Sequence, residues 1–373
     1  MRVALDCTLA AGPIGQGLGV YARHLAAALA RVAGESDQFD LAYEARKWRV
    51  RSQGVPELDH RFKHRKLWPV PFRVGWSARV DLFHGLEARL PRARFAREIV
   101  TFHDMYPYHR YLWAGGTPTE VRYHEKRLVR YPAIAARAAA IICDSQNTRD
   151  DLLRVVPWAE PKVTVIHLGT DAGAPGAVAG EGEVPAAVRG ACRGRYFVHV
   201  GSMWRIRNLP ATVRAFARVA RAQPDVRLVL VGQPGEDSPK VAELVGSLGL
   251  ERSVAVLGPL PEREKLHVVS RAAALLMFHL YAGFGLPVAE AMALGVPVLG
   301  SDRGAIPEVG GDAGIWVGPD DEAGMAAAME RVLSDQDLAR GLARNGLARA
   351  RRFTWEATAR ATYDVYRSLD GKR

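Results

Sequence analysis

Short apolar runs alternate with amphipathic stretches along most of the chain. Residues 3–6 form the first run. Residues 20–33 then place Tyr21, Leu25, Leu29 and Val32 at spacings of four, four and three, one face of a helix. Further strand-like runs fall at 82–84, 99–103, 140–144 and 163–167. Residues 170–190 are rich in glycine and alanine and lack a period, so they read as an interdomain linker with a short lead-in. The alternation restarts at 196–201 and continues through 226–232, 254–257, 274–278, 298–300 and 314–317, with helical stretches such as 209–222 between. Strand–helix alternation in both halves predicts two parallel sheets covered by helices. In such sheets ligands bind at the carboxyl ends of strands, near helix N-termini, and the cleft between two facing domains is the expected site. No internal repeat at solenoid periods is present.

Composition narrows the class. The chain has 373 residues, 48% apolar and 24% charged, which is ordinary for a globular protein and excludes disorder as the dominant state. Its length fits two cores. The most apolar stretch, residues 133–143, is interrupted by Arg137 and too short to cross a bilayer. Residues 1–6 enter a strand-like run directly, without the apolar region of a signal peptide, so a cytoplasmic location is expected. Cys7, Cys143 and Cys192 are widely spaced, which argues against a disulfide framework and a cysteine zinc site.

Charge is uneven. Residues 1–150 carry 24 Lys/Arg against 15 Asp/Glu, a net of +9, and the remainder carries 27 against 25, a net of +2. The excess concentrates in residues 45–73, where Arg46, Lys47, Arg49, Arg51, Arg61, Lys63, Arg65, Lys66 and Arg73 meet only Glu57 and Asp59, with Trp48, Phe62, Trp68 and Phe72 interleaved. Each cation near an anionic leaflet contributes on the order of 1 kcal/mol, and aromatic rings settle at the interface. Docking to the inner face of a membrane, or to a phosphate-bearing acceptor, is one reading. A solvated loop in an arginine-rich chain is the other, and the two weigh equally. Nucleic-acid binding ranks last, because no motif for it accompanies the charge.

Four segments could carry chemistry. Residues 280–295 follow a buried-looking strand. Gly283 and Gly285 allow close backbone approach, Pro287 stands near a helix start and Gly295 just past its end, so the helix N-terminus offers an anion site. Glu290 could accept a ribose diol or serve as a helix-dipole partner. Residues 12–19 form a glycine-rich turn from strand to helix, able to cradle phosphate or to be merely flexible. The pair Gly15 and Gly17 lacks a glycine at Val20, which discounts a nicotinamide site. Residues 201–208 end the first strand of the second half. Asn208 reads as a helix cap there, and Arg205 and Arg207 as a diphosphate clamp or as surface arginines. Residues 101–104 end a strand of the first half, where His103 could exchange a hydrogen bond with a reacting sugar. His84, His167 and His199 read as structural. There is no HExxH, Ser-His-Asp or GK[ST] pattern.

Taken together, these segments resemble the retaining glycosyltransferases of family 4. The resemblance is carried by residues 17–21, 102–107, 143–152, 163–171, 200–216 and 280–301, and by Phe353, Thr354, Trp355 and Glu356 at the start of a final helix. It implies the GT-B fold: α/β, two facing Rossmann-like domains with a central cleft and a C-terminal helix crossing back to the first domain. The expected domains are an acceptor-binding domain over 1–170 with helix 353–373 packed on it, a linker over 171–190, and a nucleotide-sugar-binding domain over 191–352. By resemblance, Glu290 holds the ribose, and Gly283, Phe284, Gly285 and Leu286 surround the donor sugar and diphosphate. Gly17 and Gly19 face the diphosphate and sugar, Ser202, Arg205 and Arg207 form the phosphate segment, and Leu260 lies beside the base. His103, with Asp104, stands near the transferred face of the sugar.

Two positions depart from the family pattern. Arg207 stands for a lysine, with Ile206 at the preceding arginine position. Ala282 stands for the first glutamate of the E-x7-E segment, a group that contacts the donor sugar. A different donor, an engineered Glu→Ala change and a non-catalytic relative all remain open as explanations of Ala282. The leading expectation is a metal-independent enzyme, without a cofactor, that moves a sugar from a nucleoside-diphosphate sugar to a glycan or lipid-linked glycan acceptor with retention of configuration. The alternative is a catalytically impaired binding or partner subunit. The lack of a DxD motif at a strand end agrees with metal independence, with Asp320 and Asp321 read as part of a loop.

Overall fold

The structure is a computed structural model that describes residues 1–11, 17–55, 58–67 and 75–370. It divides into two compact units, residues 1–169 with the final helix from Thr354, and Thr170–Phe353.

The first unit begins with β1 (Arg2–Asp6) and α1 (Gly17–Val32), whose Tyr21, Leu25 and Leu29 are buried as their spacing predicts. It continues through β2 (Gln38–Glu44), β3 (Phe62–Leu67), β4 (Leu82–Gly85), β5 (Arg97–Phe102), α2 (Pro118–Arg137), β6 (Ala140–Cys143), α3 (Gln146–Val155) and β7 (Val163–Val165). The strands form a parallel seven-stranded sheet in the order β3-β2-β1-β4-β5-β6-β7. Side-chain caps start two of the helices. The Thr117 side chain accepts from Glu120 N at α2, with Pro118 following, and Ser145 accepts from Thr148 N at α3. Val100, Phe102, Ile134, Ile141 and Leu152 pack together between these elements.

The second unit runs through α4 (Ala186–Ala191), β8 (Tyr196–Val200), α5 (Leu209–Ala222), β9 (Arg227–Val231), α6 (Ser238–Ser247), β10 (Val254–Gly258), α7 (Glu262–Ser270), β11 (Ala274–Met277), α8 (Leu286–Ala293), β12 (Val298–Ser301), α9 (Ile306–Gly310), β13 (Gly314–Val317), α10 (Glu322–Ser334) and α11 (Gln336–Ala350). Its six parallel strands lie in the order β10-β9-β8-β11-β12-β13. Counted from β8 this is 3-2-1-4-5-6, the Rossmann order, with its switch point between β8 and β11. α5 buries Leu209, Val213, Phe216 and Val219 along one face against Leu228, Leu230, Leu276 and Met329. Burying Phe216 alone contributes about 2–3 kcal/mol.

The last helix, α12 (Trp355–Asp370), returns to the first unit. Trp355 stacks on His24 of α1, and the Tyr366 hydroxyl bonds to His84 Nδ1 at 2.7 Å. Thr358 Oγ1 donates to His167 O at 2.8 Å.

Two expectations change here. Residues 170–190 are packed into the second unit rather than strung out as a tether. Ala172, Ala179, Val184 and Val188 are buried, and Ala179 N donates to Arg263 O. Small apolar side chains, unreadable as a period, make that contact. The basic stretch 45–73 contains β3, and several of its cations turn inward. Arg61 donates to Ala33 O and Gly34 O at the end of α1 and pairs with Asp59, and Arg65 pairs with Asp40 at 2.9 Å, whereas Arg46 pairs with Glu44 but stays exposed. Glu57, Trp68, Phe72, Arg73, Gly12, Pro13, Ile14, Gly15, Gln16 and the last three residues lie outside the described residues, as does the Arg51 side chain. Among the described residues no helix is long and apolar enough to cross a membrane.

Candidate functional site

The chain leaves β8 through Gly201, whose φ of +152° is in the region that favours glycine. Met203 N donates to Gln233 O, and a 3-10 turn at Arg205–Arg207 leads to Asn208 in the left-handed conformation, at φ +54°. Asn208 holds the N-cap position of α5 but its side chain does not cap. Its Nδ2 donates instead to Phe278 O at 3.1 Å and Pro319 O at 2.7 Å. This corrects the capping expectation: with φ positive, Asn208 stitches the ends of neighbouring elements together. Leu280 N donates to Ile206 O at 2.9 Å. The segments leaving β8 and β11 are thus fastened to each other at the switch point.

Arg207 lies in this seam, and its Nη1 donates to Nδ1 of buried His279 at 3.0 Å. Arg205 points elsewhere. Its backbone N donates to Glu236 Oε1 and its guanidinium lies 3.8 Å from the same carboxylate. Of the two expected clamp residues, the structure therefore holds Arg207 at the switch point and turns Arg205 towards Glu236. Ser202 sits half-buried between Gly201 and the turn.

The segment after β11 leads to α8. Gly285 is its N-cap residue at φ +96°, and no side chain caps the helix, so its N-terminal amides point towards the 283–286 segment. Phe284 contributes backbone only, because its ring is buried edge-on against Phe353. Gly283 and Leu286 are half-buried. Ala282 is buried, and its carbonyl accepts from Ala305 N at 2.9 Å. Glu290 lies one turn into α8 rather than in its first turn, which disfavours a simple helix-dipole role. Its Oε2 accepts from Lys265 Nζ of α7 at 2.8 Å. Burial opposes the Lys265 charge, but the carboxylates of Glu290 and Glu262 more than offset it and raise its pKa. Leu260, half-buried, follows β10 at the same carboxyl edge of the sheet. A mainly apolar recess of about 410 Å³ lies against β10, lined by Met203, Gly232, Val241, Val254 and Gly258, and holds none of the nominated residues.

In the first unit, Gly17 and Gly19 occupy the first turn of α1. Gly19 is buried, and a Cβ there would stand 3.1 Å from Leu9 O. His103 follows β5. The β5–β6 register ends with Phe102 opposite Cys143, so the next residues in each strand, His103 and Asp144, come side by side. His103 Nδ1 pairs with Asp144 Oδ2 at 2.5 Å and Nε2 donates to Leu86 O at 2.8 Å. Burial would lower the His103 pKa, but the Asp144 carboxylate and the Leu86 carbonyl more than offset this and hold it at about 9. The imidazolium spends both N–H groups inside its own unit, so the expected hydrogen bond from His103 to a sugar is not available in this conformation. Asp104 Oδ1 accepts from Tyr106 N and shapes the turn after β5.

Sequence reasoning missed Asp144, Lys265 and His279. Asp144 stood at a strand end within a quoted segment, a usable signal. Lys265 and His279 gain meaning only from partners 25 and 72 residues away. Among the described residues no group of three or more His, Cys, Asp or Glu side chains is placed to hold a metal ion.

The chain matches the family "Glycosyl transferases group 1" over residues 194–335, inside the second unit. It is 27% identical to the O-antigen chain mannosyltransferase B of Escherichia coli over 309 residues, covering 80% of this chain and 78% of that one. Among solved structures, sucrose-phosphate synthase from Thermosynechococcus elongatus superposes with a TM-score of 0.74 at 22% identity, covering 99% of each chain. Anabaena HepE, solved in complex with UDP and glucose, superposes with a TM-score of 0.71 at 17% identity, covering 98% of this chain and 99% of its own. These two structural likenesses establish the fold. They show the GT-B fold, and the family match and the sequence relative make the chain similar to the glycosyltransferases of family 4.

Proposed function

We propose that the chain moves a sugar from a nucleoside-diphosphate sugar to a hydroxyl of a glycan or lipid-linked glycan, without a metal ion and with retention of configuration, in the synthesis of a cell-surface polysaccharide or glycolipid. The observation that carries this reading is Arg207, fixed by His279 at the switch point of the second sheet beside the segment that opens α8. A guanidinium and helix N-terminal amides are what a departing diphosphate requires. Glu290, paired with Lys265, suits the ribose diol. The E. coli relative named for O-antigen chains and the Anabaena structure holding UDP and glucose agree with donor and acceptor of this kind.

In the reaction, the bond between the anomeric carbon and the diphosphate oxygen breaks. Arg207 and the α8 amides stabilise the charge that develops on the leaving group, the main electrostatic contribution. The acceptor hydroxyl forms the new glycosidic bond on the same face and gives its proton to the departing phosphate oxygen. The first unit takes the acceptor. Membrane docking through residues 45–73 rests on exposed Arg46, Arg49 and Lys63, since Arg61 and Arg65 are drawn into ion pairs.

The test is donor consumption across GDP-, UDP-, dTDP- and ADP-sugars by the chain and by Ala282→Glu, with the anomer of any product read by NMR. Turnover in either form supports the transferase. No turnover in both, across the panel, would leave a partner subunit as the better reading. Sedimentation with anionic vesicles at low and high salt decides the docking, and no binding at either salt removes it.

A further inference from the structure

Two buried histidines flank Arg207, and the transfer reaction as described uses neither. His199 stands one residue before the end of β8, His279 follows β11, and their ring centroids lie 5.3 Å apart. A guanidinium has no lone pair, so Arg207 Nη1 is the donor and His279 Nδ1 the acceptor, which makes His279 the neutral tautomer protonated at Nε2. Burial and the neighbouring Arg207 charge both hold the His279 pKa well below its ordinary value. His199 is neutral for the same two reasons, at about 3, and its Nδ1–H donates to Leu276 O at 3.3 Å. The Arg207 stem passes over Gly201, where a Cβ would stand 3.7 Å from Cδ and 3.5 Å from Nε of Arg207. The side chain thus lies in a cradle built from a glycine and two uncharged rings.

We infer that His279 is a positioning residue for Arg207: its Nδ1 fixes the plane of the guanidinium that meets the diphosphate of the donor. The inference rests on the proposed reading that Arg207 grips that diphosphate. It also gives the departure from lysine a physical reason. A lysine ammonium is a point charge on a free-turning stem and needs no orienting partner, whereas a planar fork binds phosphate well only when its plane is set. Arg207 and His279 together do what a lysine would do alone.

The experiment measures binding by calorimetry of whichever of UDP, GDP, ADP and dTDP binds tightest, and of the matching nucleoside. His279→Asn puts a carbonyl oxygen near the place of Nδ1, and His279→Gln puts it near Nε2. Affinity of His279→Gln for the diphosphate is expected to fall about tenfold, as for loss of one charge-assisted hydrogen bond, with nucleoside binding unchanged. His279→Asn is expected to stay within about threefold of the parent. Equal affinities for the two variants overturn the inference, whether both are weak or both strong. Arg207→Ala separates the two levels. If it binds the diphosphate as the parent does, the Arg207 reading itself fails. If it binds weakly while His279→Asn and His279→Gln are alike, only the role of His279 fails.

Discussion

Oε2 of Glu290 lies 2.8 Å from Nζ of Lys265, and both side chains are largely withdrawn from water, at 10% and 14% exposure. The pair joins α8 to α7 and gives the ribose-binding candidate a fixed counterion. A carboxylate at this depth is tolerated because its partner is present.

Removing that partner is therefore costly. Lys265→Met is expected to lower stability by about 3 kcal/mol, as for one half of a buried pair left alone. The double change Lys265→Met/Glu290→Gln is expected to recover part of that loss. Urea unfolding of the three forms checks this. Single and double variants of equal stability would show that the pair contributes nothing.

Gly285→Ala is expected to cost about 1–2 kcal/mol, since φ is +96° and an L-residue is strained there. The space itself is permissive, with the nearest atoms of Met277 and Val288 at 3.5 Å. Gly249, at φ +69° with nothing within 4 Å, supplies the control. Both alanine variants should lose stability alike, but only Gly285→Ala should weaken nucleoside-diphosphate binding, read by thermal shift with and without ligand.

The His103–Asp144 pair makes stability depend on pH. The folded-state pKa of about 9 lies above the ordinary histidine value of 6.5. Its contribution is thus fully present below about pH 6.5 and is lost as pH rises through 9, up to about 3 kcal/mol in all. Denaturation midpoints of the parent and His103→Gln, measured from pH 6 to 10, should converge over that window. A constant gap would show that no charged pair is present.

Tyr366→Phe strips His84 Nδ1 of its partner in a fully buried position, where Nε2 already bonds to Thr101 Oγ1 at 2.8 Å. A loss of about 2 kcal/mol is expected, the cost of a buried polar atom left unpaired. Urea midpoints of the two forms measure it, and identical midpoints would show that the bond is not made in solution.

The two sheets could be read from the chain because parallel strands covered on both faces are written as apolar runs, as in residues 274–278 and 298–300. β3 could not. Lys63, His64, Arg65 and Lys66 fill its centre, as suits the outer strand of a sheet, and they hide it inside a basic stretch. α2 was obscured by its own charges and by Pro132 in its interior. The glycines and Arg207 of the candidate site were visible because their chemistry is local. Lys265, His279 and Asp144 were not singled out, because each acquires its role from a residue that only folding brings near. Arg205 and His103 show the converse: residue types that suit the expected chemistry, which the fold pairs with Glu236 and Asp144.

The homecoming of α12 has an outcome for how the protein is made. Its Tyr366 supplies the partner that His84 needs, yet 282 residues separate the two. A ribosome releases the whole second unit before that tyrosine emerges, so the first unit waits with an open seam over α1 while its neighbour folds. The portion translated first is then the last to be finished.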